Sequence, residues 1–175
     1  MLRDIVVSLV QKHIKLGCGA GLPGVYCCSC GAKKVDFQDY NEEVLQLLTH
    51  TNVHKNISEE TVTQCRYFSG DWCSFSQFLQ HEKLRYDVIL TAETIYSPKN
   101  YACLHGVLCE ALMDNGIVVL AAKVYYFGVG GSVDGFLEYV KKQKQFTAEI
   151  VHTIQAAVPR NIIIFHRQRS SSILK

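Results

Sequence analysis

The chain reads as an α/β domain: a mostly parallel sheet with an antiparallel terminal pair and helices on both faces. Three observations predict it. Short apolar runs alternate with amphipathic stretches along the length, as in a doubly wound sheet. A glycine-rich turn, Gly17-Cys18-Gly19-Ala20-Gly21, follows the first apolar run, and Asp39 ends the second, twenty positions after Gly19. Near the C-terminus, residues 147–154 and 162–166 read as an antiparallel edge pair.

Each element has its own signal. The first strand ends at Leu16, residues 22–30 form a short helix and 35–38 the second strand. Asn41 caps a helix that opens with Glu42 and Glu43, acids suited to the positive end of the dipole. Val44, Leu45, Leu47 and Leu48 are its expected apolar face. Residues 64–68 read as a third strand, leading into Ser69-Gly70-Asp71-Trp72. Phe75, Phe78 and Leu79 mark an amphipathic helix. Residues 86–91 are a buried parallel strand and 101–113 a long helix. Asn115-Gly116 reads as a turn into a further apolar strand, 117–122. Residues 132–144 are helical with a basic last turn. That makes seven strands in one domain, residues 1–166, followed by a polar, serine-rich tail, 167–175, expected to be disordered.

Composition narrows the field. At 175 residues the chain suits one domain with a full core. The formal net charge of +2 gives no electrostatic case for a nucleic-acid or membrane partner. The apolar run from Ile5 to Val10 is too short for a signal-peptide core or a membrane span. The eight cysteines are expected to be free thiols of a reducing compartment. Cys27, Cys28 and Cys30 could suggest zinc, but no second pair stands at ligand spacing, so small packing residues are the better reading. His50 and His54, four apart, lack a third ligand and read as a solvated helix end. No metal is expected.

A glycine turn between strand and helix lets a ligand approach the backbone. An acid about twenty residues on can accept both hydroxyls of a ribose. The spacing predicts a nucleoside-containing cofactor over the carboxyl ends of the strands, without saying which. A G-x-G-x-x-G pattern threads Gly19, Gly21 and Gly24, which keeps a nicotinamide-dependent reductase open; such an enzyme normally needs a second half, for which there is no room.

The segment Leu16–Gly24 resembles motif I of S-adenosylmethionine-dependent methyltransferases with a Rossmann-like seven-strand sheet. Residues 37–41, 68–72, 90–96 and 125–131 narrow the match. Together the five segments resemble the protein-histidine N-methyltransferases that modify a large-subunit ribosomal protein, within a wider group of protein-lysine and protein-histidine methyltransferases. The resemblance covers residues 14–165. It implies S-adenosyl-L-methionine as cofactor, S-adenosyl-L-homocysteine as product, a ribosomal protein as partner, and a monomer of cytoplasm and nucleus.

Residue by residue, it implies that Gly17, Gly19 and Gly21 pass beneath the methionine part and ribose. Asp39 takes the ribose hydroxyls, with Gln38 and Tyr40 on the same rim. Gly70, Asp71 and Trp72 hold the adenine; Thr91 and Ala92 touch the cofactor beside its methyl group. Glu93 and Tyr96 match the acidic-x-x-Tyr signature facing the incoming side chain and are the catalytic candidates. Tyr125, Tyr126 and Phe127 are candidates for an aromatic wall against the substrate, with ordinary strand-end packing as the alternative.

Two departures stand out. Motif I of the family carries an acid where this chain has Lys15, which puts a cation where the ligand is cationic. The family's upstream Trp-Glu segment, which closes over the cofactor, has no counterpart between Met1 and Gly17. Weak cofactor binding is therefore expected, with a catalytically impaired binding module as one alternative and a protein-lysine methyltransferase as another.

Methyl transfer from a sulfonium is a displacement in which an enzyme mainly positions the reactants and excludes water. A neutral imidazole has a lone pair ready and needs only the correct tautomer. A carboxylate that accepts the other ring N–H fixes it. Glu93 is the candidate for that role and Tyr96 for shaping the channel; the alternative is that Glu93 only contacts the cofactor or caps the next helix.

Overall fold

A computed structural model describes residues 12–168. Seven strands alternate with helices: β1 (Lys12–Leu16), β2 (Lys34–Asp39), β3 (Arg66–Ser69), β4 (Tyr86–Ala92), β5 (Leu112–Lys123), β6 (Phe146–Ile154) and β7 (Arg160–Arg167). They form one sheet in the order β3-β2-β1-β4-β5-β7-β6. Strands β1 to β5 pair in parallel, and β7 runs antiparallel to both β5 and β6. This is the expected seven-strand sheet.

The helices are α1 (Leu22–Ser29), α2, α3 (Glu59–Val62), α4 (Trp72–Glu82), α5 (Tyr101–Ala111) and α6 (Val133–Gln143). Helix α2 is continuous but composite: Glu42–Val44, a π-helical turn Leu45–Thr49, then His50–Asn56. Local chemistry fixes the ends. The Asp71 carboxylate accepts the Ser74 N–H at 2.9 Å and starts α4, and the Ser132 hydroxyl accepts from Gly135 at 3.0 Å and starts α6. Lys83 and Lys144 end those helices in the left-handed region.

Both faces of the sheet are covered. Phe75 and Leu79 of α4, Leu104 and Leu108 of α5, and Phe136 and Val140 of α6 cluster with Leu16, Ile89, Val118 and Phe165. Val25 of α1 and Leu45 and Val53 of α2 cluster with Phe37, Val88, Ile117 and Ile164 on the other side. Adjacent pairs such as Val88 and Ile89 split between the two cores, as the two-residue period of a strand demands. At the far edge, fully buried Asp36 takes both an Arg66 fork (3.1 and 2.6 Å) and the Tyr86 hydroxyl (2.8 Å), so β2, β3 and β4 share one satisfied carboxylate.

Several sequence expectations are corrected. Asn115-Gly116 lies inside β5 rather than before it. Leu112 pairs with Tyr86 and Ile117 with Val88, so the residues between them bulge from the strand. Glycine is needed there for close approach: a Cβ on Gly116 would lie 2.8 Å from the Asp87 carbonyl oxygen. Leu47 (75%) and Leu48 (45%) are exposed, because the π turn rotates the helix and brings Thr49 inward instead. Arg167, expected in the tail, ends β7 and donates from Nε to the Leu112 carbonyl at 3.2 Å. Arg169 and the Ile5–Val10 run lie outside the described residues. Among the described residues no helix is long and apolar enough to cross a membrane, and no cluster fit for a metal occurs.

The cysteines divide. Cys73 and Cys103 are joined as a disulfide between α4 and α5, contrary to the expectation of eight free thiols; the fold brings residues thirty apart in sequence together. Cys27 and Cys28 pack in the core as expected. Closing a loop of that length contributes roughly 3–4 kcal/mol by the chain-entropy estimate. Urea denaturation with and without a phosphine reductant is expected to show that loss on reduction, and Cys103→Ser is expected to abolish the difference.

Candidate active site

From β1 the chain moves to β2 and β3 on one side, and from β4 to β5 on the other. The loops after β1 and β4 therefore diverge and leave a crevice at the carboxyl ends of the strands. A cleft of about 530 Å³ lies there, lined by Gly17, Asp39, Tyr40, Asn41, Gly70, Asp71, Trp72, Ala92, Glu93, Thr94, Tyr96, Asn100 and Cys103.

One buried amide fixes its floor. Gln38, 0% exposed, accepts from the Trp72 indole N–H at 3.0 Å and more weakly from the Gly17 N–H at 3.4 Å. Its own amide donates to the Gly70 carbonyl at 2.7 Å. The loops after β1 and β3 are thus tied to the end of β2. Gln38 stands beneath the rim rather than on it.

Asp39 is aimed by the backbone. One carboxylate oxygen accepts the Gly19 N–H at 2.8 Å, the other the Asn41 N–H at 3.1 Å. Each oxygen keeps a further lone pair, enough for two hydroxyls of a ribose. The turn that presents it runs through Gly17, Gly19 and Gly21, all at positive φ. At Gly17 a Cβ would lie 2.9 Å from the Thr94 methyl, so glycine is required by space as well as by conformation. The far side of the turn is held by Thr49, whose hydroxyl donates to the Gly19 carbonyl at 2.6 Å; this contact is why the π turn faces inward. Gly19 and Gly21 support the cleft without lining it.

Lys15 lies directly under this turn. It is 2% exposed, and its ammonium donates to the Leu16 and Gly17 carbonyls at 2.8 and 3.0 Å. Burial pushes its pKa down from 10.5 to about 8, against the opposing pull of Cys18 and Asp39. The cation is therefore built into the cleft floor, behind Gly17.

At the adenine end, Trp72 offers its ring to the cleft while Asp71 is occupied as a helix cap, its second oxygen accepting the Ser74 hydroxyl at 2.8 Å. Those hydrogen bonds hold its carboxyl below the usual range. At the other end, Thr91 is buried and bonded to Thr94 at 2.8 Å, and Ala92 lines the cleft. Glu93 follows in the left-handed region, φ 58°, its N–H donating to Ala121 at 2.8 Å. A non-glycine residue in that conformation stores strain, a frequent mark of a functional position. Tyr96 lines the mouth and is exposed.

The aromatic trio divides. Tyr125 and Phe127 are exposed and meet edge-to-face at 4.7 Å, outside the cleft lining. Tyr126 turns inward; its hydroxyl accepts the Lys123 N–H at 3.2 Å, and burial and then nearby Glu93 raise its pKa. Sequence reasoning passed over Asn100 and Cys103, which no motif marks, and Thr94, which lies inside the 90–96 segment. It also missed Arg160, whose Nε donates to Glu93 at 3.2 Å from a strand sixty-seven residues on.

The site fits an adenosyl ligand: the turn lines the cleft at side-chain-free Gly17, an oriented carboxylate stands at the rim, and an indole forms one wall.

Comparison with known proteins agrees. The family model described as lysine methyltransferase matches residues 7–147. The histidine protein methyltransferase 1 homolog of Rattus norvegicus is 38% identical, over 86% of this chain and 48% of the relative. Its namesake in Dictyostelium discoideum is 41% identical, over 83% of this chain and 45% of the relative. The chain thus spans about half the length of these relatives. A solved protein of Streptococcus mutans in complex with SAH has a TM-score of 0.70 at 17% identity, covering 95% of this chain and 96% of that one. An rRNA methylase from Streptococcus thermophilus gives 0.66 at 16%, covering 97% and 95%. These two likenesses establish the fold.

Gln38→Leu removes an acceptor and a donor from half-buried partners, each loss worth about 1–3 kcal/mol. The variant is expected to lose about 2–4 kcal/mol in urea denaturation and to shift the emission of Trp72, the only tryptophan in the chain. Lys15 gives a pH signature. Between pH 8 and 10.5 the unfolded chain holds more protons at this residue than the folded one, so its contribution to stability rises with pH. Relative to Lys15→Met, the native protein is expected to gain about 3 kcal/mol between pH 7 and pH 10.5.

Proposed function

Because the chain belongs to the lysine methyltransferase family, we propose that it transfers a methyl group from S-adenosyl-L-methionine to a histidine side-chain nitrogen of a protein substrate. We take that substrate to be a large-subunit ribosomal protein, met by a monomer in the cytoplasm and nucleus. The observation that carries the reading is one cleft continuous from Asp39 and Trp72 at one end to Glu93 and Tyr96 at the other. The relatives named for histidine methylation support the choice of side chain.

When bound, S-adenosyl-L-methionine supplies an electrophilic methyl carbon on a sulfonium. Asp39 would accept the ribose hydroxyls, with the turn at Gly17 beneath. Trp72 would give the adenine apolar cover, with Gly70 and Asp71 beside it. Glu93 would accept the imidazole N–H, leaving the other ring nitrogen with its lone pair free for the methyl carbon. It would then take the acidified N–H proton after transfer. Tyr96, with Tyr125 and Phe127 outside the mouth, would exclude water and guide the incoming segment.

Two other readings each have an observation in their favour. The Lys15 cation under the turn opposes a ligand carrying its own ammonium, which favours a binding module of weak cofactor affinity. The family's description favours lysine as the target.

The test is incubation of the chain with methyl-labelled S-adenosyl-L-methionine and undermodified large ribosomal subunits, followed by amino-acid analysis of the labelled protein. Labelled methylhistidine is expected, with a turnover about 10²-fold lower in Glu93→Gln. Labelled methyllysine would move the assignment to lysine. No transfer by a chain that still binds the product would favour the binding module.

A further inference from the structure

Glu93 would have to offer a carboxylate oxygen in a fixed direction, yet it stands on a strand-end turn and is about 40% exposed. Its backbone is fixed by the Ala121 carbonyl, but nothing in that contact directs the side chain. The direction comes from elsewhere. Arg160 donates from Nε to one Glu93 oxygen, Oε1, at 3.2 Å.

Arg160 is itself well placed for this. It opens β7, paired to Lys123 of β5 and to Ile154 of β6, and the Val124 N–H donates to the adjoining Pro159 carbonyl at 2.9 Å. Its backbone is therefore held from both sides while its side chain reaches across the end of β5. A second cation, Lys123, lies beside it in register but turns to the Tyr126 ring, 5.8 Å from the centroid. The two cations thus have different partners, and Arg160 takes the carboxylate. The Tyr126 hydroxyl lies close enough for Glu93 to help raise its pKa, so the carboxylate is bordered by an aromatic as well.

We propose that Arg160 is a positioning residue: it anchors Oε1 of Glu93 so that Oε2 is presented to the substrate side chain. The inference rests on the reading of this cleft as a protein-methylating site. It assigns a role to β7, a strand that contributes nothing to the cleft lining. Guanidinium geometry suits the task, since a planar Nε–H fixes a direction that an ammonium does not.

The test compares R160Q, R160K, E93Q and the double variant E93Q/R160Q in steady-state methylation, with thermal melting as the folding control. R160Q is expected to lower kcat about tenfold while leaving the KM for S-adenosyl-L-methionine within twofold. R160K is expected to recover part of the loss by restoring the charge without the direction. The double variant is expected to be no slower than E93Q, because Arg160 acts through Glu93. A kcat for R160Q within twofold of the native value would overturn the proposal, as would losses that multiply in the double variant. A crystal structure of R160Q with S-adenosyl-L-homocysteine decides the matter without turnover: a Glu93 side chain moved from its place supports the proposal, and an unmoved one overturns it. If the native chain methylates nothing, the functional reading falls by that result alone, while the crystal structure still decides the role of Arg160.

Discussion

The cleft depends on the amide of Gln38. Three parallel strands end side by side with their loops pointing into water; backbone bonds from Cys18 to Gln38 (2.8 Å) and from Gly70 to Asp39 (3.1 Å) carry the ladder one step past the strands, and a side-chain tie must fix the loops beyond that step. A fully buried amide does so, receiving the indole of Trp72 and the N–H of Gly17 while donating to Gly70. A buried polar group is costly unless fully paired, and a fully paired one admits few other arrangements. The residues that line the adenosyl end are thereby held in one geometry before any ligand arrives. Asp39, the next residue along, inherits its direction from the same strand end and from two backbone N–H groups.

The two ends of the cleft are built differently. The binding end is assembled from loops of the first three strands, through backbone donors and contacts that join residues 20 to 34 apart in sequence. The reactive end draws on β4, on the bulged β5 and on β7, with Glu93 in a strained conformation and a cation reaching it from the sheet's antiparallel side. Strain of this kind persists only where surrounding contacts enforce it. The Glu93 N–H bound to Ala121 is such a contact, and it ties the reactive end to the same parallel core that supports the binding end.

What could be read from the sequence was what local pattern encodes. Apolar runs such as residues 86–91 declare buried strands whatever lies elsewhere, and the glycines around Cys18 declare a turn. Asp39 followed from spacing alone. Properties set by tertiary neighbours were hidden. Leu47 and Leu48 look like core until Thr49 is seen to be claimed by Gly19. Gln38 reads as a rim residue until Trp72 and Gly70 are found on either side of it. The pairing of Cys73 with Cys103 and the reach of Arg160 to Glu93 join segments whose approach only the folded sheet reveals. Lys15 was visible as an anomaly, but its carbonyl partners and burial were not.

The central claim is that these strand ends form a preorganised site for an adenosyl ligand, and Trp72 reports on it directly, being both a wall of the cleft and the chain's single tryptophan. The measurement is a fluorescence titration of Trp72 with S-adenosyl-L-homocysteine, for the native chain and for Asp39→Ala. A saturable change at micromolar ligand, lost in Asp39→Ala, is the predicted result. A folded native chain whose emission does not respond, with calorimetry likewise silent, would contradict the account.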